Sequence, residues 1–128
     1  MRFSKTCVVG AGTMGHGIAQ VFALAGHDVT IYDQVMASLD NVKSRILTNL
    51  KDLGDDQNAV ERVTPVANLA TAVREADYVV EAVIEDLKLK QKLFAEIEKH
   101  VRADTILASN TSVIPITKIM KGLKRRER

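Results

Sequence analysis

The sequence has one cysteine, two prolines, no tryptophan and only five aromatic side chains among its 128 residues. A lone cysteine, Cys7, excludes an internal disulfide and leaves no CxxC pair for zinc or redox chemistry. This usage fits a reducing compartment, and a cytoplasmic location is expected. With so few prolines and no low-complexity stretch, there is no linker to divide the chain, and its length predicts one domain. No apolar run approaches the ~20 residues of a membrane span. The opening residues Met1-Arg2-Phe3-Ser4-Lys5 lack the apolar stretch and cleavage site of a signal peptide. No metal-ligand cluster is evident, so no metal is expected.

The charge is nearly balanced, at +2 overall. Residues 121–128 hold five Lys/Arg against one Glu, a net +4. The other 120 residues hold 13 basic and 15 acidic side chains, a net −2. The basicity therefore belongs to a short solvated tail, and no nucleic-acid partner and no membrane partner are expected.

What is present is an alternation of short β-prone runs and amphipathic segments. Strands are predicted at Thr6 to Val9, Val29 to Tyr32, Val63 to Val66, Tyr78 to Val83 and Thr105 to Ala108. Pro65 assigns the third of these to a sheet edge. A helix with Met14, Ile18, Val21, Phe22 and Ala25 on its inner face ends at Gly26. A second carries Leu39, Val42, Ile46, Leu50 and Leu53 and ends at Gly54, and a short one covers Leu69 to Ala76. A fourth, carrying Leu89, Leu93, Phe94, Ile97 and Val101, is capped by Asp86, and Pro115 opens a last short helix, Ile116 to Met120. Residues 54–61 show no clear pattern. This β-α alternation predicts an α/β fold, a doubly wound, mainly parallel sheet of about five strands with helices on both faces.

Gly10-Ala11-Gly12-Thr13-Met14-Gly15 is a GxGxxG. Alone it is a weak signal, but here it follows a predicted strand and opens a predicted helix. The first glycine permits the tight turn, the second lets backbone approach a pyrophosphate, and the third lets helix and strand lie close. Asp33 ends the second strand, 18 residues after Gly15, where a carboxylate accepts hydrogen bonds from ribose hydroxyls and repels a 2′-phosphate. The next basic residue is Lys43, so NAD is expected rather than NADP. Together these features specify a Rossmann-type domain. Ligands of such sheets bind beyond the carboxyl ends of the strands, and four predicted strand ends are polar or glycine-rich. They are Gly10–Gly15, Asp33-Gln34, Ala82 through Asp86, and Ser109 through Ser112.

Three stretches carry a resemblance to a known family: GAGTMGHGIAQVFALAGHDVTIYD (10–33), ADYVVEAVIEDLKLKQKLFAEIE (76–98) and LASNTSVIPIT (107–117). In order and spacing the chain resembles the N-terminal NAD-binding domain of the L-3-hydroxyacyl-CoA dehydrogenases, enzymes of fatty acid metabolism. The resemblance implies hydride transfer between C3 of a 3-hydroxyacyl thioester and NAD. It implies that Asn110 holds the nicotinamide end and that Ser112 hydrogen-bonds the substrate's 3-oxygen. It also implies that Glu85 and Lys90 contact cofactor, with Lys90 near the CoA side. The candidate cofactor-binding residues are therefore Gly10, Gly12, Thr13, Met14, Gly15, Asp33, Gln34, Ala82, Val83, Glu85, Lys90 and Asn110, and Ser112 is the candidate catalytic residue.

The family's catalytic histidine, in a GxHFxNP-like segment, is absent from this sequence. His16, His27 and His100 are expected to be surface or packing residues. Residues 1–120 are read as the NAD-binding domain, and 121–128 as a basic tail at a truncation point. The helical domain that completes the substrate pocket and makes the homodimer is absent, so NAD binding without turnover is expected. The stretch from Leu39 to Val63 is shorter than the family's helical hairpin. That leaves open a dehydrogenase of another small 3-hydroxy acid, such as carnitine, or a non-catalytic NAD-binding module. Glu81, inside a buried strand, is expected to be a satisfied structural carboxylate. Lys88, Lys92 and Lys99 are read as a solvated helix face, and Cys7 as a small buried apolar residue.

Overall fold

The computed structural model describes residues 5–110, 116–119 and 123. Five strands, β1 (Lys5–Val9), β2 (Asp28–Tyr32), β3 (Val63–Val66), β4 (Tyr78–Glu81) and β5 (Ile106–Ser109), form one sheet in the order β3-β2-β1-β4-β5. Every pairing is parallel. The chain runs outward from β1 to β3, then returns to the other side of β1 for β4 and β5. The order therefore reverses between β1 and β4, and a crevice opens there at the carboxyl ends of the strands. Pro65 lies on edge strand β3, where its missing N–H costs no central ladder bond.

The helices are α1 (Thr13–Leu24), α2 (Met36–Leu53), α3 (Leu69–Val73), α4 (Leu87–His100) and α5 (Ile116–Ile119), with a 3-10 turn at Gln57–Arg62. Alternate strand residues feed two cores. On one face Val8, Val29, Ile31 and Val80 pack with Leu39, Val42, Ile46 and Leu50 of α2 and with α1. On the other, Cys7, Val9, Val79 and Leu107 pack with α3, with Phe94 and Ile97 of α4, and with Ile119. Burial pushes the Cys7 thiol up to about 12, against the opposing pull of its Thr30 hydrogen bond, so it behaves as a small apolar side chain.

Three expectations are corrected. The inner face of α1 is Gly15, Ala19 and Ala23, not the large residues: Met14 and Val21 are 58% and 65% exposed, Ala25 is exposed, and Ile18 and Phe22 pack at the margin. The reason is the close approach of α1 to β1, which leaves room only for small side chains. β4 ends at Glu81 rather than Val83, because the Val83 N–H turns to the Glu81 carboxylate. α3 stops at Val73, three residues early. The stretch without pattern holds the 3-10 turn, capped by the Asp56 side chain, buried through Ala59 and fastened by Arg62 donating to the Ala23 carbonyl at 2.8 Å.

The predicted ends of the longer helices are found. Gly54 terminates α2 in the left-handed conformation, at φ +72°. Asp86 caps α4 by accepting from the Leu89 N–H.

Candidate functional site

Strand register brings the sequence motifs together. Val9 pairs with Tyr32 and with Glu81, and Glu81 pairs with Ser109. The residues that follow, Gly10, Asp33, Ala82 and Asn110, therefore form the next row at one sheet edge. Backbone bonds bind that row: Gly10 N–H to the Tyr32 carbonyl (2.7 Å), Ala82 N–H to Val9 (2.9 Å) and Asn110 N–H to Glu81 (2.8 Å).

The glycines do three different jobs. Gly10 has φ +117°, and a Cβ there would lie 2.6 Å from the Ala82 carbonyl oxygen. A Cβ at Gly15 would fall 1.6 Å from the Gly10 carbonyl oxygen, so helix and loop touch backbone to backbone. A Cβ at Gly12 would meet nothing within 4 Å among the described residues, which leaves an open approach over the loop. Gly12 is also the N-cap of α1; among the described residues no side chain caps that helix, and its first turn carries no acidic residue. Its N-terminal N–H groups and positive dipole end are thus available to an anion.

Asp33 closes the loop from the β2 side. Its Oδ2 accepts from the Ala11 N–H at 2.9 Å and its Oδ1 from the Val35 N–H at 2.8 Å. Each oxygen has a further lone pair for a hydroxyl donor. Gly10, Gly12, Asp33, Gln34, Ala82 and Val83 line one cleft of about 320 Å³. That is within the size of small-molecule sites.

These features form a dinucleotide cradle, and comparison with known proteins decides which kind. A family model described as "3-hydroxyacyl-CoA dehydrogenase, NAD binding domain" matches residues 5–128. The chain belongs to the 3-hydroxyacyl-CoA dehydrogenase family. Among curated relatives, a probable 3-hydroxybutyryl-CoA dehydrogenase of Deinococcus radiodurans is 42% identical over 119 residues, covering 88% of this chain and 43% of the relative. The mitochondrial hydroxyacyl-coenzyme A dehydrogenase of Homo sapiens is 38% identical over 135 residues, covering 94% and 43%. The crystal structure of M. tuberculosis FadB2 superimposes with a TM-score of 0.93 at 34% identity, covering 100% of this chain and 48% of that one. The chain thus spans less than half the length of these relatives.

Within this NAD-binding domain, the remaining candidates divide. Met14 faces outward, and Gly15 lies buried beneath the loop. Thr13 begins α1. Glu85 sits exposed beyond the cleft wall and pairs with Lys90 at 3.5 Å, and Asn110 is exposed at the tip of β5. Ser112 lies outside the described residues, as do Pro115 and, Leu123 apart, the basic tail.

Lys90 departs most from a cofactor contact. It is fully buried, and its Nζ donates to Glu81 Oε2 at 2.5 Å and toward the Val83 carbonyl at 3.4 Å. Glu81, equally buried, also accepts from the Val83 N–H at 2.7 Å and from the Ser109 hydroxyl. Glu81 is therefore a satisfied structural carboxylate, as expected.

Of the histidines, His27 lies edge-on to Phe22 and beside Thr6, and His100 is exposed at the end of α4. His16 packs under the glycine loop, with Nδ1 3.0 Å from the Gly12 carbonyl oxygen and Nε2 3.1 Å from the Asn49 amide nitrogen. Sequence reasoning missed the apolar walls of the cleft, Val35, Ile84, Leu89 and Leu93. Ile84 is 72% exposed, and large apolar residues just after strand ends were the available signal. Leu89 and Leu93 belong to the apolar periodicity of α4 as well.

Proposed function

We propose that the cleft takes NAD in an extended pose along the strand ends. In this reading the adenine rests against Val35 and Ile84, and its ribose hydroxyls bond Asp33. The pyrophosphate sits over Gly12 at the α1 N-terminus, and the nicotinamide end points toward Glu85 and Asn110. The observation that carries it is the pairing of an open Gly12, on an uncapped helix N-terminus, with Asp33 across the same cleft. The distance from β2 to β5 is three strand spacings, roughly 14 Å, which suits an extended dinucleotide. When bound, NAD supplies the hydride acceptor. The protein's own part is to orient it, to screen it with apolar walls and to offer donors near the reacting oxygen. Ser112 takes that last role in this reading.

The whole protein is read as an oxidoreductase acting on a 3-hydroxyacyl-CoA. Among the described residues no histidine lines the cleft, so in this reading these residues supply no proton acceptor for the substrate hydroxyl. The 128 residues alone therefore bind NAD without turnover. Incubation with NAD and 3-hydroxybutyryl-CoA, followed by NADH absorbance, is expected to show no rate above background. A rate near that of ordinary dehydrogenases would overturn this part of the reading.

Asp33→Ala removes the ribose acceptor, the tie to the glycine loop at the Ala11 N–H and the tie to the Val35 N–H. Hydrogen bonds to a charged group are worth about 1.5–3 kcal/mol, so NAD affinity should fall by about 10- to 100-fold. Calorimetric titration checks this, and unchanged affinity would refute the ribose assignment.

A further inference from the structure

We propose that Glu81 and Ser109 form a positioning device for the nicotinamide half of the cleft, a role resting on the NAD pose above. Glu81 is the last residue of β4, directly beneath the Ala82–Ile84 wall. Its four oxygen contacts reach three elements. Oε2 takes the Val83 N–H, which sets the turn of the wall out of the strand, and the Lys90 ammonium, which anchors the first turns of α4. Oε1 takes the Ser109 hydroxyl from β5. The main-chain carbonyl takes the N–H of Asn110.

One carboxylate residue therefore ties together the loop and strand tip on the side of the crevice away from Asp33. Lys90 closes the set by also reaching the Val83 carbonyl and Glu85. A fully buried ion pair is poor value as a stabiliser, since well-packed apolar residues often do as well. What it supplies is fixed direction. Removing the Ser109 hydroxyl would free Oε1 and let the β5 tip, with Asn110, shift relative to the β4 loop, leaving the Asp33 side intact.

The test compares two ligands on the 128-residue chain, NADH and ADP-ribose, which lacks the nicotinamide. Affinities come from calorimetry, and the environment of the reduced ring from NADH fluorescence. Ser109→Ala is expected to weaken NADH about tenfold and reduce its fluorescence enhancement, with ADP-ribose affinity held within about twofold. Ser109→Thr, which keeps the hydroxyl, should restore both. Glu81→Gln should follow Ser109→Ala with a larger loss. Parallel weakening of both ligands by Ser109→Ala would reduce Ser109 to a fold contact and overturn the proposal, as would NADH binding indistinguishable from wild type. If the wild-type chain binds neither ligand, the NAD pose itself fails. If it binds both and Ser109→Ala changes nothing, only the positioning role fails.

Discussion

Gly15→Ala is expected to lower stability by about 3 kcal/mol or more and to abolish measurable NAD binding. The added Cβ would fall 1.6 Å from the Gly10 carbonyl oxygen and 2.6 Å from its carbon. Both obstacles are backbone, so no side chain can rotate away. Gly10 is itself held in place, its N–H bonded to the Tyr32 carbonyl at 2.7 Å. Helix α1 must then move off β1, opening the Gly15-Ala19-Ala23 seam. For a domain of this size the thermal midpoint should drop by roughly 10 °C. Gly12→Ala is the internal control. Its Cβ meets nothing within 4 Å among the described residues, so stability should change by less than about 1 kcal/mol while NAD affinity falls, because the methyl occupies the pyrophosphate approach. Circular dichroism melts and calorimetry separate the two outcomes. Equal destabilisation by both substitutions would contradict the distinct jobs assigned to these glycines.

Lys90→Met should cost about 3–5 kcal/mol, because it strands the Glu81 carboxylate in the interior without a counter-charge. The loss has little to do with the attraction between the two ions. It comes from leaving one of them unpaired. The double variant Glu81→Gln with Lys90→Met removes both charges and keeps an acceptor for the Val83 N–H, so it should recover more than half of the loss. Urea unfolding of the wild type, both single variants and the double variant gives the coupling directly. A Lys90→Met cost below about 1 kcal/mol would mean that the pair is not buried as described.

The parts of the site that chemistry restricts to one residue type were readable in advance. A loop that needs φ above zero and backbone contact with a helix admits only glycine, so Gly10 and Gly15 announced themselves. Asp33 did so through its place at a strand end. The four polar strand tips could be assigned to one edge because parallel connections put all carboxyl ends on one side.

Other features were hidden for identifiable reasons. Hydrophobic periodicity rewards size, so it chose Met14 and Val21 over Gly15, Ala19 and Ala23 as the buried face of α1. Close packing against β1 demanded the opposite. Lys90 stands among lysines that do face solvent, Lys88, Lys92 and Lys99, and its burial follows only from a partner nine residues earlier on a different element. Glu81 in an apolar strand was the visible half of that pair. The resemblance pointed to Lys90 as special, but as a cofactor contact, whereas its ammonium lies on Glu81. The apolar cleft walls escaped because Leu89 and Leu93 satisfy the core pattern of α4 as well as the wall of the cleft.

The central claim is that the edge where β1, β2, β4 and β5 end is a seat for NAD. Calorimetric titration of the 128-residue chain with NAD, and in parallel with NADP, tests it most directly. Saturable binding of NAD is expected, with NADP at least about tenfold weaker, because its 2′-phosphate would meet the Asp33 carboxylate and Lys43 is the first basic residue after it. No saturable heat at millimolar NAD, from protein shown by circular dichroism to be folded, would contradict the account.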